Sequence, residues 1–600
     1  MLDRFRFGYS LVGQLLVMIV FITVGNGLFW TNAETTQAEE ADFDGAKDQV
    51  RFRRPISIES TYLANRLLVA NSTSGSISVI DSTNNVVVSE FDVVNKAAGF
   101  TADRSKRFFL LTDVDDGRLH CLQLLADGRI QAQWNSKTVN YCRSVKISPG
   151  NDLIAVAGHW SRQIEISKIK EWDSNPMSRR VIDLDFVPGR LCWIDNEDLL
   201  ILGAFDGQMA VVNARTFTVN HRLVADHRFG GAALRPDGKS LLLTDQMLNP
   251  LAQSTRNDVF WGLMVANRVS QVPVEWLQET AQVDLLLKDY RAIGGPRNAK
   301  ADPGAIWLSP QYTLVALAGV DQLGVALSDE LEFAFVETGR RPLDVIGLGR
   351  QAFVVNMLDD SVTVIDLEKF EAIQTISLGQ TPELTMAQQG ERLFSDANLS
   401  LDGWMSCHSC HVEGHTNGQL NDNASDGSFG TPKRVISLLG RSGSAPFAWN
   451  GGSISLDDQV RKSIEVTMQS SHRVEEQTVS AITAFLQTLP APPAINAARK
   501  REQVDRIHQG KLLFDSLNCN ECHEPPHYSS RQNYDVGLSD ENGLRTFNPP
   551  VLLGLSQRDY FFHDNRASSL ADVVKKYRHQ LDNPLSEEEV KNLLAFLNSL

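Results

Sequence analysis

The sequence predicts a multidomain chain, an all-β propeller of about seven blades followed by two mainly α domains. Three observations predict it. Short apolar strands separated by polar turns recur from residue 56 to about 380, and helical periodicity replaces them from about Thr381. Two copies of one pentapeptide pattern, Cys407-His408-Ser409-Cys410-His411 and Cys519-Asn520-Glu521-Cys522-His523, fall at matching points of the helical part. Length agrees, since 600 residues exceed a single core at a prior of about 150 residues per domain.

The chain begins with Arg4 and Arg6 ahead of an uncharged stretch, Gly8 to Trp30, whose centre is Leu15-Leu16-Val17-Met18-Ile19-Val20-Phe21-Ile22. This is the pattern of an export signal, so residues 1–33 are expected to act as a signal peptide. Thr31-Asn32-Ala33 offers a poor cleavage site, and the stretch is long enough to cross a bilayer, so an uncleaved anchor is the alternative. Either way the folded part is expected in the periplasm or cell envelope, with the membrane touched only by this segment. Residues 34–55, polar and charged, read as a linker.

The propeller is expected over 56–380. Leu67-Leu68-Val69-Ala70-Asn71, a polar turn and Ile77-Ser78-Val79-Ile80-Asp81 match Ala352-Phe353-Val354-Val355-Asn356, a turn and Val362-Thr363-Val364-Ile365-Asp366. Weaker copies start near Phe108, Leu153, Leu199, Leu241 and Leu314. Each unit can bury its faces only against its neighbours, the logic of a propeller blade. Six or eight blades are alternatives, and the first and last copies are expected to share one blade. The units resemble the surface-layer type of propeller repeat. The fifth carries a long insertion between Gln246 and Gly304, with Asp289-Tyr290-Arg291 and Pro296-Arg297-Asn298. Asn71, Asp113, His159, Asp245 and Asn356 fall at equivalent strand ends and are expected near one mouth, as turn caps or as ligand-binding groups.

The helical part divides into domains at 381–490 and 503–600, with a stiff linker at 491–502 that follows Pro490. Gln389-Gly390-Glu391-Arg392-Leu393-Phe394 leads into the first pentapeptide and Gln509-Gly510-Lys511-Leu512-Leu513-Phe514 into the second. Each domain closes on an amphipathic helix, with Val479, Ile482, Leu486 and Leu489 in one and Val590, Leu593, Leu594 and Leu597 in the other. Ser586 and Glu589 form a capping box.

In a Cys-x-x-Cys-His motif the two thiols form thioethers to one haem and the histidine ligates its iron. Seven Cys and thirteen His among 600 residues would yield such a pentapeptide by chance with a probability of roughly two in a thousand. A zinc site built from Cys pairs is the alternative, but more than a hundred residues separate the pairs and zinc does not require His next to the second Cys. Two covalently bound c-type haems are therefore expected, through Cys407, Cys410 and His411 and through Cys519, Cys522 and His523, with cytochrome c-like domains around them. Cys121, Cys142 and Cys192 read as buried apolar residues, with one disulfide among them left open.

Residues 381–600 resemble the bacterial di-haem cytochrome c peroxidases and the related enzyme that matures the tryptophan cofactor of methylamine dehydrogenase. The resemblance runs through Leu399-Ser400-Leu401-Asp402-Gly403, Phe447-Ala448-Trp449-Asn450-Gly451, Arg545-Thr546 and Tyr560-Phe561-Phe562-His563-Asp564. It implies a peroxide-reacting first haem, an electron-transferring second haem and, between them, a tryptophan matched by Trp449. It also implies a peroxide-pocket glutamine at Gln459, an acid/base glutamate near Glu465, and calcium as a further ion. The family's loop histidine is missing from Ala424 to Lys433. Met468 is the soft axial ligand available to the first iron, and without it that iron keeps a free face. Tyr577 matches the axial position of the second haem, with His579 in competition.

The reading that follows is an exported, peroxidase-like di-haem oxidoreductase passing electrons from the second haem to the first, to reduce hydrogen peroxide or oxidise a partner. Its partner would be an electron-carrier protein, a small cytochrome or cupredoxin, or a protein substrate. A non-catalytic electron-transfer protein with the propeller as docking platform is the alternative, and a propeller dehydrogenase with a ligand near His159 is a third. A net charge of −16 argues against nucleic acid.

Overall fold

Seven four-stranded antiparallel sheets make up the N-terminal part, at residues 55–92, 97–137, 142–183, 188–224, 227–292, 303–337 and 342–377. The computed structural model describes residues 49–225, 227–279, 289–328, 330–424 and 427–600. The N-terminal apolar segment and most of the expected linker lie outside the described residues, as do residues 280–288 of the insertion. Among the described residues no helix is long and apolar enough to cross a membrane.

In every sheet the strand order follows the chain, and the seven first strands contact one another in a closed ring. The fold is a seven-bladed propeller. The second strand of each blade is the one the repeats detect, for Leu67, Phe108, Leu153, Leu199, Leu241, Leu314 and Ala352 all lie in second strands. Sheets on both sides cover these strands, so Arg66–Asn71 and Leu153–Gly158 are buried almost throughout and read as unbroken apolar runs. Outer strands such as Val86–Asp92 are partly exposed and carry a weaker pattern.

The first and last repeats do not share a blade, contrary to the sequence expectation. Each blade is built from four consecutive strands, and the ring closes where strand Pro55–Ser60 meets strand Pro342–Leu348. Polar contacts take the place of a shared sheet. The Asp360 carboxylate accepts the backbone N–H groups of Arg53 and Arg54 at 2.8 and 2.7 Å, and Asp344 accepts the Ser57 hydroxyl at 2.7 Å. The Arg53 guanidinium, wholly buried, pairs with the equally buried Glu90 at 2.8 Å. Removing one partner from such a pair costs about 3–5 kcal/mol, because the other charge is left unpaired.

The helical part contains the same module twice. Helix Met386–Phe394 packs on Glu476–Leu486, and Val504–Ser516 packs on Glu587–Leu597. Both crossings need a glycine, because a Cβ on Gly390 would lie 1.9 Å from the Ala481 carbonyl oxygen and one on Gly510 2.0 Å from that of Asn592. Phe394 meets Phe485 at 5.3 Å between ring centres, and Phe514 meets Phe596 at 5.2 Å, one aromatic pair in each module. The capping box of Ser586 and Glu589 is present, and Thr385 with Gln388 forms its counterpart in the first module.

The modules sit on one mouth of the propeller. Arg54 pairs with Glu391 at 2.9 Å, Arg392 with Asp359 at 3.1 Å and Arg162 with Asp559 at 2.7 Å. The blade-five insertion crosses over: Leu248, Val259 and Met264 share an apolar core with Trp404, Met405 and Met468, while Tyr290–Ala292 supplies the blade's outer strand. The strand-end residues act inside the blades. Asn71 donates to Ser76 and Ser78, Asn356 to Ser361 and Thr363, and Asp245 accepts from Arg268 and Ser270. Asp113 accepts the Asn95 N–H, and His159 lies buried against Trp160 and Phe205. No cysteine forms a disulfide.

Candidate haem sites

The first motif is a short helical turn, Cys407–Cys410, begun by Ser406 and closed by the His411 N–H on the Cys407 carbonyl at 2.9 Å. A propeller residue holds it. Asp302, buried at the start of blade six, accepts the Ser406 hydroxyl at 2.6 Å and the Ser409 hydroxyl at 2.8 Å, with Arg228 at 3.3 Å. Burial works to raise the Asp302 pKa, but His408, Arg228 and the two hydroxyls outweigh it and hold the group below the usual carboxylate range. Burial pushes His411 down to about 4, so the ring is neutral, the form that ligates metal.

The second motif relies on its own module. Burial also pushes His523 down to about 4, with the neighbouring His579 adding to the shift, while His523 Nδ1 faces the Tyr528 carbonyl at 3.1 Å and leaves Nε2 for iron. The intervening residues differ in setting. His408 and Ser409 are buried beneath the propeller, whereas Asn520 and Glu521 are exposed.

Between the modules lie three arginines, Arg434 and Arg441 buried and Arg558 half-buried. Burial lowers Arg434 and Arg441 to about 10 and Arg558 to about 9, and Arg441 and Arg434 add repulsion. Among the described residues none pairs with a carboxylate. Arg434 donates to the Phe562 carbonyl, and Arg558 to those of Val551 and Leu553. Uncompensated buried cations are costly, and haem propionates supply the carboxylates that such a cluster lacks. The residues therefore fit two haems: His411 and His523 for iron, four thiols for attachment, and Arg434, Arg441 and Arg558 for propionates. Among the described residues no group of three or more His, Cys, Asp or Glu side chains could hold a bare metal ion.

Trp449 is buried at the boundary. Its Nε1–H donates to the Arg434 carbonyl at 2.8 Å, the Arg434 guanidinium lies 5.2 Å over its ring, and its carbonyl accepts the Asn548 N–H at 2.8 Å. The indole meets the His563 ring edge-on at 6.3 Å. His563 is its counterpart, because the bridges Phe447 to Ser453 and Phe561 to Ala567 enclose equivalent turns with positive φ at Ala448 (67°) and Phe562 (66°). His563 in turn stacks on Phe547 at 4.3 Å.

Gln459, Glu465 and Met468 occupy one continuous helical segment. Gln459, on Leu456–Lys462, donates to the Ser463 hydroxyl at 3.3 Å, and Glu465, in a π-helical turn at Ser463–Thr467, accepts the Val474 N–H at 3.2 Å. Met468 ends that turn and is buried in the apolar core. The second module repeats the device, with a π-helical turn at Asp572–Lys576 ending on Tyr577. The Tyr577 hydroxyl donates to the Arg566 carbonyl at 2.6 Å, and His579 packs on Phe562 at 5.6 Å.

Residues 385–500 match the family described as di-haem cytochrome c peroxidase. The helical part carries a di-haem cytochrome c peroxidase domain. The cytochrome c551 peroxidase of Nitrosomonas europaea is 24% identical over 281 residues, covering 38% of this chain and 84% of that protein. The methylamine utilization protein MauG of Methylorubrum extorquens is 26% identical over 276 residues, covering 35% of this chain and 76% of that protein. Among solved structures, hydrazine synthase of Kuenenia stuttgartiensis aligns over 55% of this chain and 99% of that chain, with a TM-score of 0.44 and 14% identity. The match and the two attachment motifs together give two c-type haems, and the relatives it shares them with are a cytochrome c peroxidase and MauG.

Asp302, Arg434, Arg441 and Arg558 escaped the sequence reading. Asp302 left one trace, since blades one, six and seven open with Arg54-Pro55, Asp302-Pro303 and Arg341-Pro342, and only blade six reverses the charge.

Proposed function

We propose that the chain is an exported di-haem oxidoreductase in which electrons enter at the His523 haem, pass by way of Trp449, and act at the His411 haem on hydrogen peroxide or a bound protein partner. One observation carries the reading: the Trp449 indole is anchored on the first module through Arg434 and faces His563 of the second. Bound haem iron supplies the one-electron chemistry. Reduction of hydrogen peroxide to two waters takes two electrons and two protons. Glu465 is the proton carrier, its Oε1 fixed by the Val474 N–H and its other oxygen free among the described residues to exchange a proton with a bound peroxide. Gln459 orients the peroxide, and Arg434, Arg441 and Arg558 hold the two redox centres in register. Tyr577 and His579 are the two residues that could join His523 in holding the second iron, and since the Tyr577 hydroxyl is committed to the Arg566 carbonyl, His579 is the one that would bind it.

Export is supported by Arg4, Arg6 and the apolar run that follows, and a basic electron carrier by the net charge of −16. The buried Met468 favours a second reading, in which Met468 ligates the first iron and the protein only transfers electrons. Electron paramagnetic resonance of the haem-loaded wild type and Met468→Ala separates the two. The enzyme reading expects high-spin ferric iron in the wild type, whereas a signal that becomes high-spin only in the variant supports electron transfer alone.

A further inference from the structure

A cavity of about 430 Å³ opens where three parts of the chain meet. They are the hairpin of Gly294–Gly295 and Asn298–Ala299 in the blade-five insertion, strands Gln322–Leu327 and Ala334–Glu337 of blade six, and the first haem module. Hydrogen bonds tie the walls together. The Arg297 backbone N–H donates to the Asp402 carboxylate at 2.9 Å, and the Ala397 N–H to the Gly319 carbonyl at 2.7 Å. A Cβ on Gly403 would lie 3.3 Å from the Ala299 carbonyl oxygen, so the module seats closely on the hairpin. Cavities of this size take small molecules, and their lining is usually apolar with a few polar groups. Here the proportion is reversed, for only Ala299, Val320 and Gly403 of the lining residues lack a polar side chain.

Charges of both signs line this space without pairing. Lys300 is 5% exposed. Its ammonium donates to the Asn298 side-chain oxygen at 2.5 Å and lies 4.6 Å over the Phe335 ring, which leaves two N–H groups without an acceptor among the described residues. Glu337 accepts the Gln322 amide through one oxygen and Asp402 accepts the Arg297 N–H through one; the other oxygen of each is free among the described residues. None of these three side chains forms an ion pair among the described residues. Burial lowers the Lys300 pKa while Glu337 works against that, so the two groups act on each other across the space. Arg297 and His472 stand at the exposed rim. A buried ammonium without a carboxylate is costly, and a ligand carboxylate removes that cost. A plain anion would meet Glu337 and Asp402 as well, and a plain cation would meet Lys300 and Arg297. The lining therefore selects a molecule that carries both charges.

We propose that this cavity binds a small zwitterion of the α-amino acid class, with its carboxylate on Lys300 and its ammonium on Glu337 and Asp402. The inference is independent of the peroxidase reading, since it concerns binding and not turnover. Its test uses the full haem-loaded chain. L-glutamine, whose uncharged polar side chain suits the lining, is titrated by calorimetry at constant ionic strength. Glutaramate, the same molecule without its ammonium, and γ-aminobutyramide, without its carboxylate, are titrated beside it. The expected result is one saturable site for L-glutamine, with each half-molecule bound at least tenfold more weakly, the loss that follows when one hydrogen bond to a charged group is missing. Lys300→Met and the double variant Glu337→Gln/Asp402→Asn are each expected to weaken L-glutamine at least tenfold with haem content and thermal midpoint retained. Glu337 is exposed and Asp402 half-buried, so the double variant guards against a folding defect in Lys300→Met. Absence of a saturable site, unchanged affinity in the double variant, or glutaramate bound as tightly as L-glutamine, which marks a plain anion site, overturns the proposal.

Discussion

The two haem modules share one local code and differ in what surrounds it. Both have a glycine-mediated helix crossing, a paired phenylalanine contact, a π-helical turn and the same attachment pentapeptide. The first pentapeptide is clamped by Asp302 and buried beneath the propeller, whereas the second exposes Asn520 and Glu521 and orients His523 through its own Tyr528. Duplication therefore supplied two equivalent haem holders, and the propeller made them unequal. On the proposed reading, a haem at the covered motif would suit chemistry that must exclude other reactants, and one at the exposed motif would suit docking of an electron carrier.

The most disruptive way to break this inequality is Asp302→Leu. It leaves Arg228 buried and unpaired and both serine hydroxyls without an acceptor, so a loss of about 3–5 kcal/mol in stability is expected. Denaturant unfolding checks it, together with a first-haem spectrum that changes while the second stays as it was. Glu465→Gln removes the proposed proton carrier of the first module alone, and about a hundredfold fall in peroxide turnover is expected with both haem spectra retained; steady-state kinetics reads it.

The second module gives a finer contrast. Tyr577→Phe forfeits one hydrogen bond to the Arg566 carbonyl, a loss of about 1 kcal/mol, and leaves the second haem low-spin. His579→Ala turns that haem high-spin at little cost in stability. Magnetic resonance of both variants compares the two residues directly, and the reverse outcome would assign the sixth ligand to Tyr577.

The smallest effect concerns the contact between the propeller and the second module. Burial and the adjacent Asp559 raise Asp206 to about 6, against about 3.9 for an unfolded aspartate. Folding therefore takes up a proton between those values. This contribution is full below about pH 4 and is lost as the pH rises toward 6. Asp206→Asn is expected to flatten that part of the stability profile and to raise the thermal midpoint slightly at pH 7.

Much of this architecture was legible in the chain. Second strands covered on both faces must be apolar throughout, so Leu67, Leu153 and Leu199 advertise their blades; paired motifs and repeated Gln-Gly leaders announce the duplicated modules. What escaped depends on contacts between distant segments. Ring closure rests on Asp360 reaching Arg53 and Arg54 across 307 and 306 residues, and the haem clamp on Asp302 reaching Ser406 across 104. A pairing of that kind leaves no periodicity. The arginines between the modules were equally silent, since nothing local sets Arg434, Arg441 and Arg558 apart from surface charges until the fold gathers them between the modules.

The division of labour between the modules is tested most directly by magnetic resonance of the fully oxidised and half-reduced, haem-loaded protein before and after hydrogen peroxide. The account predicts one high-spin ferric signal from the enclosed His411 haem that peroxide abolishes, beside one low-spin signal from the His523 haem. Two low-spin haems, both inert to peroxide in either state, would contradict it.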